Sequence, residues 1–273
     1  MRVGSICLFV ILNMALFMSC SENEDDALAF YDSSGTVKLA EVNAFVGENW
    51  IRATGGDGGY TVLSDNKGIA EVSISNDVIK IRAYQLGESE ITITDRAGEQ
   101  ITIPLHVYAK EGTLGIERVY AYVACEDTDI KTEIEDELKA NFSVSEGGSY
   151  LLTFEKWVDG RYEGKLLVYP GVSKDKKFEG VFTWNETVKP NRITFEYNSH
   201  KSEYNLLIPG YPEATPAESN LWYDSSDRQP LARDLGPVTM DLGEDLTSQY
   251  IVEYPGVTKV LSIVEVTYSR YLF

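Results

Sequence analysis

The strongest constraint on this chain is a two-residue alternation in "ESEITITDRAGEQITIPLHVYA", residues 88 to 109. Ile91 and Ile93 alternate with Thr92 and Thr94. After "DRAGE", Ile101, Ile103, Leu105 and Val107 alternate with Thr102, Pro104 and His106. Successive side chains of an extended strand point to opposite faces, so period two on both sides of a glycine-containing turn predicts a hairpin with one buried face. Pro104 has no N–H for a ladder and belongs at an open edge or a bulge. His106 shares the outward face with Thr102 and reads as a strand surface residue rather than a ligand. "IAEVSISNDVIKIRA" (69–83) repeats the pattern about a turn at "SND". "TGGDGGYTVLSDN" (54–66) opens a further strand. A phosphate cradle needs a following helix and usually a Lys, and "GGDGG" has neither, so its glycines read as a turn that needs positive φ.

The second half changes pattern. "AKEGTLG" (109–115) is polar and glycine-containing, and the domain boundary is expected there. After the strand "IERVYAYVA", Ile130, Ile134, Leu138 and Phe142 recur every four residues with charges between them. That spacing predicts one amphipathic helix over about 128–142, packed on a sheet. "SYLLTFEKW" and "YEGKLLVYP" flank "VDGR", whose Asp-Gly pair signals a hairpin. "FEGVFTWN", "RITFEYN" and "SEYNLLIP" follow, the last after the turn "NSHK". Short strands joined by tight turns predict a meander curling into an antiparallel barrel or a bent sheet, with the helix covering one end. The chain closes with "YIVEYPGVTKVLSIVEVTYSRYLF", read as two strands about "YPGV".

The stretch "ATGGDGGYTVLSDNKGIAEVSISNDVIKIRAYQLGESEITITDRAGEQITIPLHVY" resembles a bacterial Ig-like domain of group 2. The features that match are Gly-Gly before an aromatic strand, "SDN…IAEVS", "GESEITITD" and a last alternating strand. The likeness covers roughly residues 36–108. It implies a β-sandwich of about seven strands that acts as a spacer or stalk, and it brings no catalytic residues. "GGSYLLTF" and "FTW…RITFEY" faintly resemble small lipocalin-like domains of surface lipoproteins. The expected fold is therefore all-β in two domains: a sandwich over 30–110, then a barrel or bent sheet with one helix over 113–273.

The chain has 273 residues and a formal net charge of −19. A phosphate backbone or an anionic lipid surface would be repelled, which excludes nucleic acid as a partner. The N-terminus explains how so acidic a chain can still meet a membrane. "ICLFVILNMALFM" follows Arg2 and ends at Ser19 before Cys20, the shape of a secretory signal. Cys20 resembles the acylated Cys of lipoproteins, although Phe17 stands where the usual box has Leu. An ordinary signal peptide with a chance Cys, or an N-terminal anchor, is the alternative. "SENEDD" then puts four acids in six residues, a solvated arm over about 20–29. It resembles the acidic export tag that sends some Gram-negative lipoproteins outward. The expected location is the outer membrane, lipid-anchored at Cys20 and facing the extracellular side, with residues 1–19 removed.

No cofactor, metal or catalytic set is expected. Two His, His106 and His200, and three Cys leave no zinc pattern. Cys125 with His200 could form a nucleophile and base, but Glu126 and Asp127 beside the thiol favour a buried structural Cys. Glu155, Glu163, Glu179 and Glu196 could supply a glycosidase pair. Between strands, the Pro-, Ser- and Asp-rich stretch 209–249 carries "NLWYDSSDR". Trp222 and Tyr223 offer rings that stack on sugars, and Asn220, Asp224 and Arg228 offer partners for hydroxyls. Equally, Trp222 can simply anchor the loop. The leading expectation is a non-catalytic surface protein that binds polysaccharide. The alternatives are a fimbrial or envelope-assembly component joined to other surface proteins, and a glycosidase.

Overall fold

A computed structural model of the chain describes residues 27–207 and 238–270. The described chain is all-β with two helices. Nine strands come first: β1 (Ala29–Tyr31), β2 (Lys38–Leu39), β3 (Val42–Phe45), β4 (Gly47–Thr54), β5 (Thr61–Ser64), β6 (Ala70–Ser75), β7 (Val78–Ala83), β8 (Gly87–Thr94) and β9 (Gln100–Tyr108). They form two sheets, ordered β2-β1-β4-β7-β6 and β3-β9-β8-β5. Phe30, Ile51, Ile79 and Ile81 from the first sheet share one core with Ile91, Ile93, Ile103 and Leu105 from the second. The alternating residues that predicted the β8–β9 hairpin are thus its inner face. Parallel β3 begins opposite Leu105, so Pro104 sits where the β9 edge is still open. His106 is on the outward face, between Glu41 and Glu88.

The "GGDGG" turn is built around one carboxylate. Gly55, Gly56, Gly58 and Gly59 all have φ between 60 and 77°. Asp95 accepts the N–H of Asp57 at 2.7 Å and of Glu99 at 2.8 Å. A Cβ on Gly56 would lie 2.6 Å from the Asp95 carboxylate, so the loop closes only without one. These N–H groups, Asp57 first, hold the Asp95 carboxyl below its ordinary value.

The second half is a closed eight-stranded antiparallel barrel. Its strands are β10 (Lys110–Cys125), β11 (Ser149–Val158), β12 (Arg161–Tyr169), β13 (Phe178–Asn185), β14 (Arg192–Tyr197), β15 (His200–Leu207), β16 (Val238–Asp245) and β17 (Val257–Arg270). Each strand pairs with the next, and β17 pairs back onto β10. Tight turns fit their residues: Asp159-Gly160 and Asn198-Ser199 all take positive φ, as two-residue hairpin turns demand. Aromatic rings fill the lumen. Tyr150 and Phe195 lie 4.5 Å apart across it, and Trp184 meets Tyr268 on the opposite strand at 6.1 Å. An eight-stranded barrel is just wide enough to be filled by side chains, and this one is bridged by them at two levels.

Helix α1 (Thr128–Asn141) matches the expected span. Asp127 caps it by accepting the N–H of Asp129 and Ile130. Its stripe, Ile134 and Leu138, packs on Val123, Val257 and Val260, where β10 and β17 overhang the barrel. The chain from Phe142 to Gly148 then crosses the barrel end. A short helix, α2 (Thr247–Tyr250), precedes β17.

Only Ala109 separates β9 from the barrel, and residues 110–115 are the start of β10. Gly112 is needed there for packing, because a Cβ would lie 2.7 Å from the Tyr268 ring. The C-terminal stretch holds one strand rather than two, since α2 and a turn occupy 247–256. Cys125 is half-buried rather than fully buried.

The β11 bulge between Phe154 and Lys156 brings the Thr153 carbonyl against Gly164, where a Cβ would sit 1.9 Å from that oxygen. Gly164→Ala is expected to lower unfolding stability by about 3 kcal/mol or more, since backbone must move. Gly98→Ala, with φ +89° but open space around it, is expected to cost only about 1 kcal/mol in the same denaturant titration.

Candidate functional site at the distal barrel mouth

The two ends of the barrel differ. At one end Trp157 and Tyr162 meet the sandwich: Trp157 N–H donates to the Tyr84 carbonyl at 2.7 Å, and the Tyr162 hydroxyl lies against Gly47. Gly47 begins β4, whereas Thr54 at the other end of β4 pairs with Ala29. The N-terminal side of the described chain is therefore at the sandwich end remote from the barrel. The other barrel mouth is remote from both, and we call it distal.

Inward positions at the distal mouth are polar. Tyr150 from β11, Tyr197 from the end of β14 and Tyr204 from β15 are buried there. Alternation explains the set: Ser202, Tyr204 and Leu206 share the inner face of β15, and Glu244 lies two residues beyond inward Leu242 on β16. Ser143, in the segment crossing the mouth, lies 2.9 Å from the Tyr197 hydroxyl. Ser202 lies beside both Tyr204 and Glu244. The Tyr150 hydroxyl is fully buried beside the hydroxyls of Tyr197 and Tyr204, yet none meets it at hydrogen-bond distance and angle.

Burial sets the electrostatics. It raises all three tyrosines above their ordinary value. Burial also lifts the Glu244 carboxyl above its ordinary 4.5, against the Ser202 hydroxyl and the nearby His200, which pull it down. Around this floor runs a rim of half-exposed rings under lysines. Lys174 Nζ lies 4.8 Å from the Tyr169 ring and 3.3 Å from the Ser149 hydroxyl. Lys176 Nζ lies 5.1 Å from the Phe178 ring, which packs on Tyr197 at 6.1 Å. Rings, hydroxyls and a carboxyl at one opening can hold a hydroxyl-rich ligand.

Cys20 and the five loop residues Asn220, Trp222, Tyr223, Asp224 and Arg228 lie outside the described residues. The four glutamates considered as a glycosidase pair sit on the convex outer wall. Each is against a cation: Glu155 with Lys165, Glu163 with Lys156 and Arg161, Glu179 with Lys177, Glu196 with Lys201. Cys125 and His200 belong to separate groups, one under α1 and the other at the mouth. Among the described residues no group of three His, Cys, Asp or Glu is placed to hold a metal. Tyr150, Tyr197, Tyr204, Ser202 and Glu244 were not singled out from the sequence. Their signal was polar side chains at inward positions near strand ends. Comparison of the chain with protein-family models and with curated proteins returns no match.

A carboxyl raised on folding stabilises the fold below its unfolded value, and that contribution is lost as pH rises through the folded value. Glu244→Gln is therefore expected to be more stable than the parent at neutral pH and equal to it below about pH 4, as read by thermal unfolding across pH. Tyr150→Phe removes an unbonded buried hydroxyl and is expected to be neutral or up to about 1 kcal/mol stabilising. A clear loss would show that the hydroxyl is bonded.

Proposed function

We propose that this chain is a lipid-anchored surface protein that binds a hydroxyl-rich glycan at the distal mouth of its barrel. In this reading Cys20 carries the acyl chains, the acidic arm holds the fold off the outer membrane, and the sandwich, read as an Ig-like spacer, supports the barrel. Two facing sheets of five and four strands fit that spacer. The observation that carries the reading is polarity along the molecule: the N-terminal side of the described chain and the polar mouth are at opposite ends. A receptor tethered at its N-terminus needs that arrangement. A lumen bridged by its own rings moves the working surface from the interior to the rim, where Tyr169 and Phe178 offer faces for sugar C–H groups. Ser149, Ser202 and Glu244 offer partners for hydroxyls.

The test is retention of the purified mature protein in gels cast with surface polysaccharides. The parent is expected to be retarded by at least one, and Tyr169→Ala with Lys174→Ala is expected to weaken that retardation about tenfold. A parallel Trp222→Ala variant separates the mouth from the 209–237 segment: loss there, with the mouth variant unchanged, would move the site. No retardation by any polysaccharide would sink the reading.

A further inference from the structure

A concave feature lies at the opposite end of the barrel, at its junction with the sandwich. Gly68, Tyr84 and Gln85 form one wall, and Lys156, Val158 and Asp159 of the β11–β12 hairpin form the other, around an open groove of about 340 Å³. The junction holds this gap in a fixed shape. Gln85 and Lys156 form an antiparallel bridge next to the Trp157–Tyr84 backbone hydrogen bond. The Tyr84 and Trp157 rings lie parallel, 9° apart with centroids at 6.0 Å, and the Tyr84 hydroxyl donates to Glu71 at 2.9 Å. Gly47, with φ +115°, admits Tyr162 so closely that a Cβ would lie 2.9 Å from its hydroxyl.

The gap itself is left by particular residues. A Cβ on Gly68 would meet Asn66 of its own turn at 3.3 Å and nothing from the barrel within 4 Å. Val158 leaves 48% of its surface open. The lining thus brings together a ring held by two contacts, a pair of methyl groups, a carboxamide, an ammonium and a carboxylate, drawn from both halves of the chain. Its volume is at the small end for ligand pockets and suits one pyranose unit. A sugar ring can lay its C–H face on Tyr84 or Val158 and give its hydroxyls to Gln85, Lys156 and Asp159.

We propose that this junction groove is a carbohydrate subsite, contacted by sandwich and barrel at once and independent of the distal mouth. A bound sugar residue touches both halves and so stiffens their junction.

The test uses isotope-labelled mature protein titrated with methyl glycosides of a neutral hexose, an N-acetylhexosamine and a hexuronic acid. The backbone amides of Gln85, Lys156 and Trp157 are followed by NMR. At least one glycoside is expected to shift all three together and saturably. Gln85→Ala with Lys156→Ala is expected to weaken that binding about tenfold or more, while Glu196→Gln on the outer wall leaves it unchanged. The spectrum of the double variant away from the groove shows whether it is folded. The proposal is overturned if no glycoside moves these amides, or if the folded double variant binds like the parent. Shifts confined to Tyr169, Ser202 and Glu244 would remove the groove while leaving the distal mouth in place.

Discussion

The structure depends on one seam, the pairing of the barrel's first strand with its last. β10 and β17 share thirteen residue pairs from Gly112–Arg270 to Cys125–Val257. Arg118 and Glu265, 147 positions apart, join across it at 2.6 Å, and Arg118 lies over the Tyr120 ring whose hydroxyl donates to buried Asp241. Without this seam the eight strands are an open sheet with two long free edges, which proteins avoid. With it, Trp184 reaches Tyr268 and Tyr150 reaches Phe195, and the lumen packs. The same two strands extend past the barrel to give α1 its apolar seat. Cys125 is a free thiol, so closure rests on strand pairing and on ring burial, each large ring contributing about 1.5–3 kcal/mol.

Closure also decides where function can reside. A barrel of this strand number either encloses one small ligand or fills with its own side chains. Here rings meet across the axis, and polar inward residues gather only where the packing runs out. Ser202 and Glu244 are half-buried beside buried Tyr197, so they serve both the end of the barrel and whatever meets it. At the near end, the one-residue link at Ala109 and the Tyr84–Trp157 contact fix the sandwich on the barrel. A short link and a shared core make a stiff joint.

Much of the fold was legible because local physics agreed with the final structure. Ile91, Ile93, Leu105 and Val107 announced their strands by alternation. Asp159-Gly160 announced a hairpin by its tolerance of positive φ. Ile130, Ile134 and Leu138 announced a helix by their spacing. The start of β10 at 110–115 carries little strand signal because Gly112 packs on Tyr268 more than 150 positions away, and no local pattern carries that. The end of the chain misled because "YPGV" looks like a hairpin turn, while α2 takes up the residues before it. The distal mouth was invisible for a topological reason. Tyr150, Tyr197, Tyr204 and Glu244 are neighbours only after closure, and each alone reads as one more residue of a strand. The loop aromatics drew notice instead because they are contiguous.

The central claim is that the chain's N-terminal side and its polar mouth are held at opposite ends of one stiff molecule. Spin labels on Asp57→Cys, in the sandwich loop remote from the barrel, and Val172→Cys, 79% exposed at the distal rim, measure this directly in a background with Cys7, Cys20 and Cys125 each changed to Ser. Sandwich strands of eight residues and tilted barrel strands of similar length place the labels roughly 50 Å apart. The account predicts a single narrow distance distribution near that value. A broad distribution, or one centred near half that length, would contradict it.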